Sequence, residues 1–199
     1  MIDIAGQVAE VHRGVDTAAR AVRLTRRYDA PVADVWAACT EPARVAAWFL
    51  PVDGDLRPGG EFRFAGNAAG RVLRCDAPTG FTVSWQFGAD DGSELDAAYA
   101  PAGDGCALTL TYRSVAPPGM WERYGPGAVG VGWDLTLLGL AVHLAGRPLP
   151  DPATWPTSDA GRDFITRCGD AWAEAYRRAG AGHDDARAAA ARTAAFYTA

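Results

Sequence analysis

A chain of 199 residues, 49% of them hydrophobic, has enough apolar mass for one ordinary domain with its own core, which excludes wholesale disorder. A formal net charge of −5 and the lack of any basic run exclude an electrostatic nucleic-acid partner. All 19 basic residues are arginine, so Schiff-base and lysine-base chemistry are closed to it.

Residues 1–14 carry neither the basic stretch nor the long apolar stretch of a secretory signal. Cys39, Cys75, Cys106 and Cys168 are widely spaced, with no CxxC pair and no histidine at ligand spacing. Both features point to a cytoplasmic protein with free thiols and without a metal or cofactor. Over 17–30, Val22, Leu24 and Tyr28 alternate with Arg23 and Arg27, predicting a strand that breaks at Pro31. Val32, Val35, Trp36 and Cys39 then recur at helical spacing. Thr40 is expected to cap a second short helix, with Pro42 in its first turn and Pro51 ending it.

A run of short strands follows. In 60–66, Phe62 and Phe64 oppose Glu61 and Arg63. The segments 70–78 and 80–88 are separated by a turn, and Phe81, Val83, Trp85 and Phe87 share one face of the second. The segments 93–101 and 105–115 complete the set, with Leu108, Leu110 and Tyr112 opposite Thr109, Thr111 and Arg113. Such alternation predicts an antiparallel sheet with one wet face and one packed face, closed by Pro117-Pro118-Gly119.

The stretch 127–146 is almost wholly apolar and long enough to span a bilayer. Asp134 near its middle, which would cost roughly 2.5–3.5 kcal/mol at a bilayer centre, and its internal glycines argue instead for a buried core helix with no membrane span. A helix apolar all round needs cover on both sides, and a sheet supplies one. The other is expected from the helix near 158–180, whose Phe164, Cys168, Trp172 and Tyr176 form an apolar stripe. A last helix starts at Asp184 or Asp185 and carries Ala189, Thr193, Phe196 and Tyr197.

In the stretches "RRYDAPVADVWAACTEPARVAAWFLP", "LRPGGEFRF", "GRVLRCDAPTGFTVSWQF" and "ALTLTYRSV" the chain resembles the START-like (SRPBCC) superfamily. The branch it is most similar to is that of bacterial homologues of the activator of the ninety-kilodalton heat-shock chaperone ATPase. The resemblance runs from about residue 17 to 146. It implies an α+β helix-grip fold: a curved antiparallel sheet around a long helix in 1–146, with a C-terminal helical extension in 147–199 packed on that helix. In such a fold Trp48 would plug the junction of the short helices with the sheet. Gly59 and Gly60 would permit a bulge or a turn with positive φ. The superfamily binds lipids, hormones and polyketides in an apolar cavity, a minority being cyclases or hydrolases, and this branch has no agreed catalytic residues to carry over. In the eukaryotic co-chaperone the domain accompanies a second, chaperone-binding domain that is not found in this sequence.

The resemblance therefore implies a carrier or sensor of a small apolar or amphipathic molecule. Trp48, Phe62, Phe64, Arg74, Trp85, Tyr112, Trp133, Leu137, Leu140 and His143 are the expected pocket walls, with the Tyr112 hydroxyl, Arg74 or His143 as polar anchor. Arg74 falls on either face according to a one-residue choice of register. An enzyme on the same fold would need a buried polar dyad in the cavity. An interaction module would use the C-terminal helices to dock a protein partner or a second copy. "GPGAVG" (125–130) matches GxGxxG but follows antiparallel strands, unlike a dinucleotide fingerprint. Asp90-Asp91 and Glu94/Asp96 read as solvated surface, and no serine stands in a nucleophile elbow.

Overall fold

The computed structural model describes residues 2–87, 92–115 and 119–199; the Asp90-Asp91 pair and Pro117-Pro118 lie outside the described residues. Two elements precede the expected first strand. The short helix α1 (Ile4–Ala9) is capped by Asp3, whose carboxylate accepts from the Gly6 N–H at 3.1 Å. The strand β1 (Val11–Asp16) pairs antiparallel with β2 (Ala21–Tyr28). Polar residues at both faces of 11–16 hide its period.

Helices α2 (Val32–Thr40) and α3 (Pro42–Ala46) follow. Thr40 closes the first of these rather than capping the second: its hydroxyl donates to the Trp36 carbonyl at 2.8 Å, and Glu41 holds the cap position. The second helix stops at Ala46, short of Pro51. Six strands then build the sheet with β2 and β1: β3 (Val52–Gly54), β4 (Glu61–Phe64), β5 (Ala68–Asp76), β6 (Gly80–Ser84), β8 (Glu94–Ala102) and β9 (Gly105–Arg113). The two-residue β7 (Gln86–Phe87) pairs with the start of β5. The order is β1-β2-β9-β8-β6-β5-β4-β3, antiparallel throughout.

Phe87 leaves the expected packed face and is 56% exposed. The strand breaks at Trp85, whose N–H turns to the Ser93 carbonyl at 2.7 Å, so the alternation does not carry through to Phe87. The register of β5 against β6 shifts between Val72 and Arg74, a bulge that adds one residue to the strand. Val72 and Cys75 both reach the inner side while Leu73 and Arg74 point out. Gly59 and Gly60 are required for different reasons. Gly59 has φ +86°, and a Cβ on Gly60 would overlap the Asp55 carbonyl oxygen. The pair exchanges backbone hydrogen bonds with Val72 at 2.7 and 2.9 Å, which lays the loop against β5.

After the short helix α4 (Met120–Tyr124), the apolar stretch forms α5 (Gly127–Leu144). It is the one helix among the described residues long and apolar enough to cross a membrane, and here it is the core of the fold. One side presents Trp133, Leu137 and Leu140 to the inner face of the sheet. The other side meets α6 (Asp159–Arg178), capped by Ser158, whose hydroxyl accepts from the Gly161 N–H at 3.1 Å. Phe164, Ile165, Cys168 and Trp172 of α6 are fully buried. Gly130 lets the Trp172 ring lie on the α5 backbone, since a Cβ there would fall inside the indole. The last helix, α7 (His183–Tyr197), buries Ala189 and Thr193 and donates from the Tyr197 hydroxyl to the Ala128 carbonyl at 2.8 Å. Phe196, next to Tyr197, is 62% exposed.

Asp134 is answered inside the core. Arg13 of β1 donates to it from Nε at 3.2 Å and from Nη2 at 2.8 Å, and Trp172 Nε1 donates at 2.8 Å. The Arg13 and Asp134 side chains are 4% and 0% exposed. Burial pushes the Asp134 carboxyl above the usual range, while Arg13 and the indole N–H pull it back. A buried bidentate pair on residues so far apart in sequence fixes how hairpin, long helix and extension meet.

Candidate functional site: an aromatic-walled cavity

Between the inner face of the sheet, the α2–α3 segment and α5 lies a cavity of about 170 Å³. Seven of the expected wall residues border it: Trp48, Phe62, Phe64, Trp85, Trp133, Leu137 and Leu140. Their rings touch edge to face or tilted, as in Trp85–Trp133 at 5.1 Å, Phe64–Trp85 at 5.9 Å and Phe62–Phe64 at 5.7 Å between centroids. Trp48 is held by its indole N–H, which donates to the Ala38 carbonyl at 2.9 Å and so ties the segment after α3 to α2. That segment adds half-buried Phe49, Val52 and Leu56 to the wall.

Three expected wall residues stand elsewhere. Arg74 projects outward from the β5 bulge, with Asp76 at 3.4 Å and Asp96 at 3.6 Å, and its side chain is 61% exposed. Tyr112 is buried on the inner face but lies behind Trp133, ring to ring at 5.7 Å, and does not reach the cavity. His143 is half-buried in the last turn of α5, also off the wall. None of the three expected anchors reaches the cavity.

The polar atoms of the wall come from residues the alternation pattern did not single out. Thr40 and Thr136 spend their hydroxyls on the Trp36 and Gly132 carbonyls, at 2.8 and 3.0 Å. Cys39 and Tyr99 stand side by side on the wall. Burial pushes the Cys39 thiol up to about 11, and burial also raises the Tyr99 phenol, so both are protonated and neutral near pH 7. Leu108 and Leu110 were legible from strand alternation. Phe49, Val52 and Leu56 sit in a segment without period and gave no signal.

Two measurements follow from Cys39. Its alkylation by iodoacetamide at pH 8 should be on the order of 100-fold slower than that of a free thiol, read by mass spectrometry. Its folded pKa lies above the ordinary 9.0, so the folded state favours the protonated thiol. The stability this represents is complete below pH 9 and is lost as pH rises towards 11. Urea unfolding should show roughly 2 kcal/mol less stability at pH 10.5 than at pH 8 from this group.

Residues 29–145 match the family described as Activator of Hsp90 ATPase homolog 1-like protein. The chain belongs to this family. It lies within the START-like superfamily, and the curved sheet gripping α5 is its fold. Among solved structures, CalU16 from Micromonospora echinospora is similar in crystal and solution forms. The crystal form is 34% identical with a TM-score of 0.65, covering 84% of this chain and 96% of that one. The solution form is 32% identical with a TM-score of 0.70, covering 85% and 97%. These shares exceed the span 29–145, so the likeness to CalU16 reaches into the flanking elements. An Hsp90 activator from Plasmodium falciparum shares the fold at 19% identity and a TM-score of 0.54, over 64% of this chain and 97% of that one. DynU16, a protein of the dynemicin biosynthetic locus, shares it at 22% identity and a TM-score of 0.56, over 70% and 58%. No curated protein matches the sequence.

Proposed function

We propose that this member of the Activator of Hsp90 ATPase homolog 1-like family holds a small apolar or amphipathic molecule in the aromatic-walled cavity, as a carrier or sensor. The observation that supports this reading is the cavity of about 170 Å³ faced by Trp48, Phe62, Phe64, Trp85 and Trp133. An apolar cavity of roughly 150 Å³ is large enough to hold benzene, so the fitting ligand has one or two rings or a comparable aliphatic body. Burying an aromatic group of roughly 150–250 Å² contributes about 4–6 kcal/mol by area.

A binding role fits the chemistry of the wall better than catalysis. The Cys39–Tyr99 pair is a buried polar dyad, but burial keeps both groups protonated and removes the thiolate a nucleophile needs. The Plasmodium activator shares only the fold, so its chaperone partner does not carry over to this chain.

Native mass spectrometry of gently purified protein, with identification of any released molecule, tests the reading first. A reproducible bound apolar mass supports it. A clean mass together with no thermal shift across a panel of one- and two-ring compounds would overturn it. Val83, buried on β6 and facing the cavity, offers a control. Val83→Trp fills the space, so binding should weaken at least about tenfold with the melting temperature unchanged or raised.

A further inference from the structure

Two guanidinium groups enter the layer between the β1–β2 hairpin and the helices, and one carboxylate answers them. The register pairs Val11 with Arg26 and Arg13 with Leu24, so Arg13 and Arg26 are diagonal neighbours on one face of the hairpin. Arg13 takes Asp134 for itself. Arg26 is 4% exposed, and among the described residues no carboxylate lies within ion-pair distance of it. Its Nη2 donates to Gln7 Oε1 at 2.6 Å, its Cζ stands 5.4 Å from the Tyr28 ring centre, and its Nε is buried without a hydrogen-bond partner.

A guanidinium at this depth is strongly disfavoured without an anion. Tyr28 does not supply one, because burial drives its phenol far above the ordinary range and keeps it neutral. A neutral amide oxygen returns about half of what a charged acceptor would. That oxygen belongs to α1, a six-residue helix with no fully buried residue, so Gln7 is the least anchored group around Arg26. Directly across from Arg26 on β9 is Leu108, which borders the cavity.

We propose that Arg26 is the binding site for a compact oxyanion, a carboxylate or phosphate group, and that Gln7 Oε1 occupies the anion's place when none is bound. The oxyanion arrives either free or as the polar end of an apolar molecule seated in the cavity. The first source is independent of the cavity reading; the second rests on it.

Thermal unfolding of the full chain at fixed ionic strength tests this, with acetate and phosphate compared against chloride. Both anions should raise the wild-type melting temperature progressively with concentration. Arg26→Met removes the uncompensated charge. It should melt no lower than wild type and lose the response, whereas a structural arginine would make this variant less stable. Gln7→Glu builds the anion in, so it should melt about 5 °C higher and also lose the response. 1-Naphthoate and its neutral amide separate the sources. A naphthoate response larger than that to acetate, lost in Arg26→Met and weak for the amide, assigns the site to the head of a cavity ligand. Responses to acetate or phosphate with none to either naphthalene support the Arg26 site and count against the cavity. The proposal is overturned if no anion gives a response that depends on Arg26, or if Gln7→Glu is no more stable than wild type.

Discussion

Removal of residues 147–199 is expected to leave a chain that does not reach a soluble, cooperatively folded state. The segment supplies Phe164, Ile165 and Trp172, each at most 1% exposed, against the outer side of α5 and the β1–β2 hairpin. At about 1.5–3 kcal/mol per fully buried large side chain, these three alone account for roughly 5–9 kcal/mol, comparable with the whole stability of an ordinary domain. The truncation also uncovers Gly130 and takes the indole N–H from Asp134. Size-exclusion chromatography and urea unfolding of the 1–146 fragment decide the matter. A monodisperse fragment with a cooperative transition would show that the extension is not a required cover.

Asp134→Ala carries the second large effect. The substitution leaves the Arg13 guanidinium buried without its anion and the Trp172 N–H without an acceptor, and breaking a buried pair in this way costs about 3–5 kcal/mol. Asp134→Asn should cost less, because an amide oxygen in the place of Oδ2 still accepts from Arg13 Nε and Trp172 Nε1 and only the charge and one acceptor are lost. The combined change Arg13→Met, Asp134→Leu and Trp172→Phe removes both charges and the indole N–H together and should recover most of the loss. Urea midpoints of the variants measure the series. If Asp134→Ala unfolds within about 1 kcal/mol of wild type, which is the range of a surface pair, the network does not hold the layers together.

Period made much of this architecture legible. Phe62 and Phe64, or Leu108 and Leu110, alternate with charged and hydroxyl residues, and the structure puts them on the inner face. The apolar run with one aspartate implied a helix needing cover on two sides, and Trp172 in its stripe marked where that cover comes from. What failed has physical reasons. Arg74 depended on a bulge, which adds a residue without leaving a mark in an alternating pattern. Arg13 lies in a strand without a readable period, and Arg26 shares the parity of Leu24 and Tyr28, so alternation alone pointed to no partner for either, and the first finds its carboxylate 121 positions away. Phe49, Val52 and Leu56 border the cavity from a segment whose shape is set by what it leans on, not by its own period.

The meeting of Arg13, Asp134 and Trp172 also bears on how the chain is made. Emerging from the ribosome in order, β2 waits for β9 before its inner neighbour exists, since the two sit side by side in the sheet. Helix α5 then appears with its outer side bare, and Trp172 follows 38 residues behind the aspartate it will bond. For that interval the nascent protein displays an apolar helix face and holds two opposite charges that the third partner has not yet sealed. Contacts this distant in sequence slow folding and lengthen the exposure of sticky surface. The nascent chain is therefore most open to chaperones, and to aggregation, in the moments before its last helices are translated.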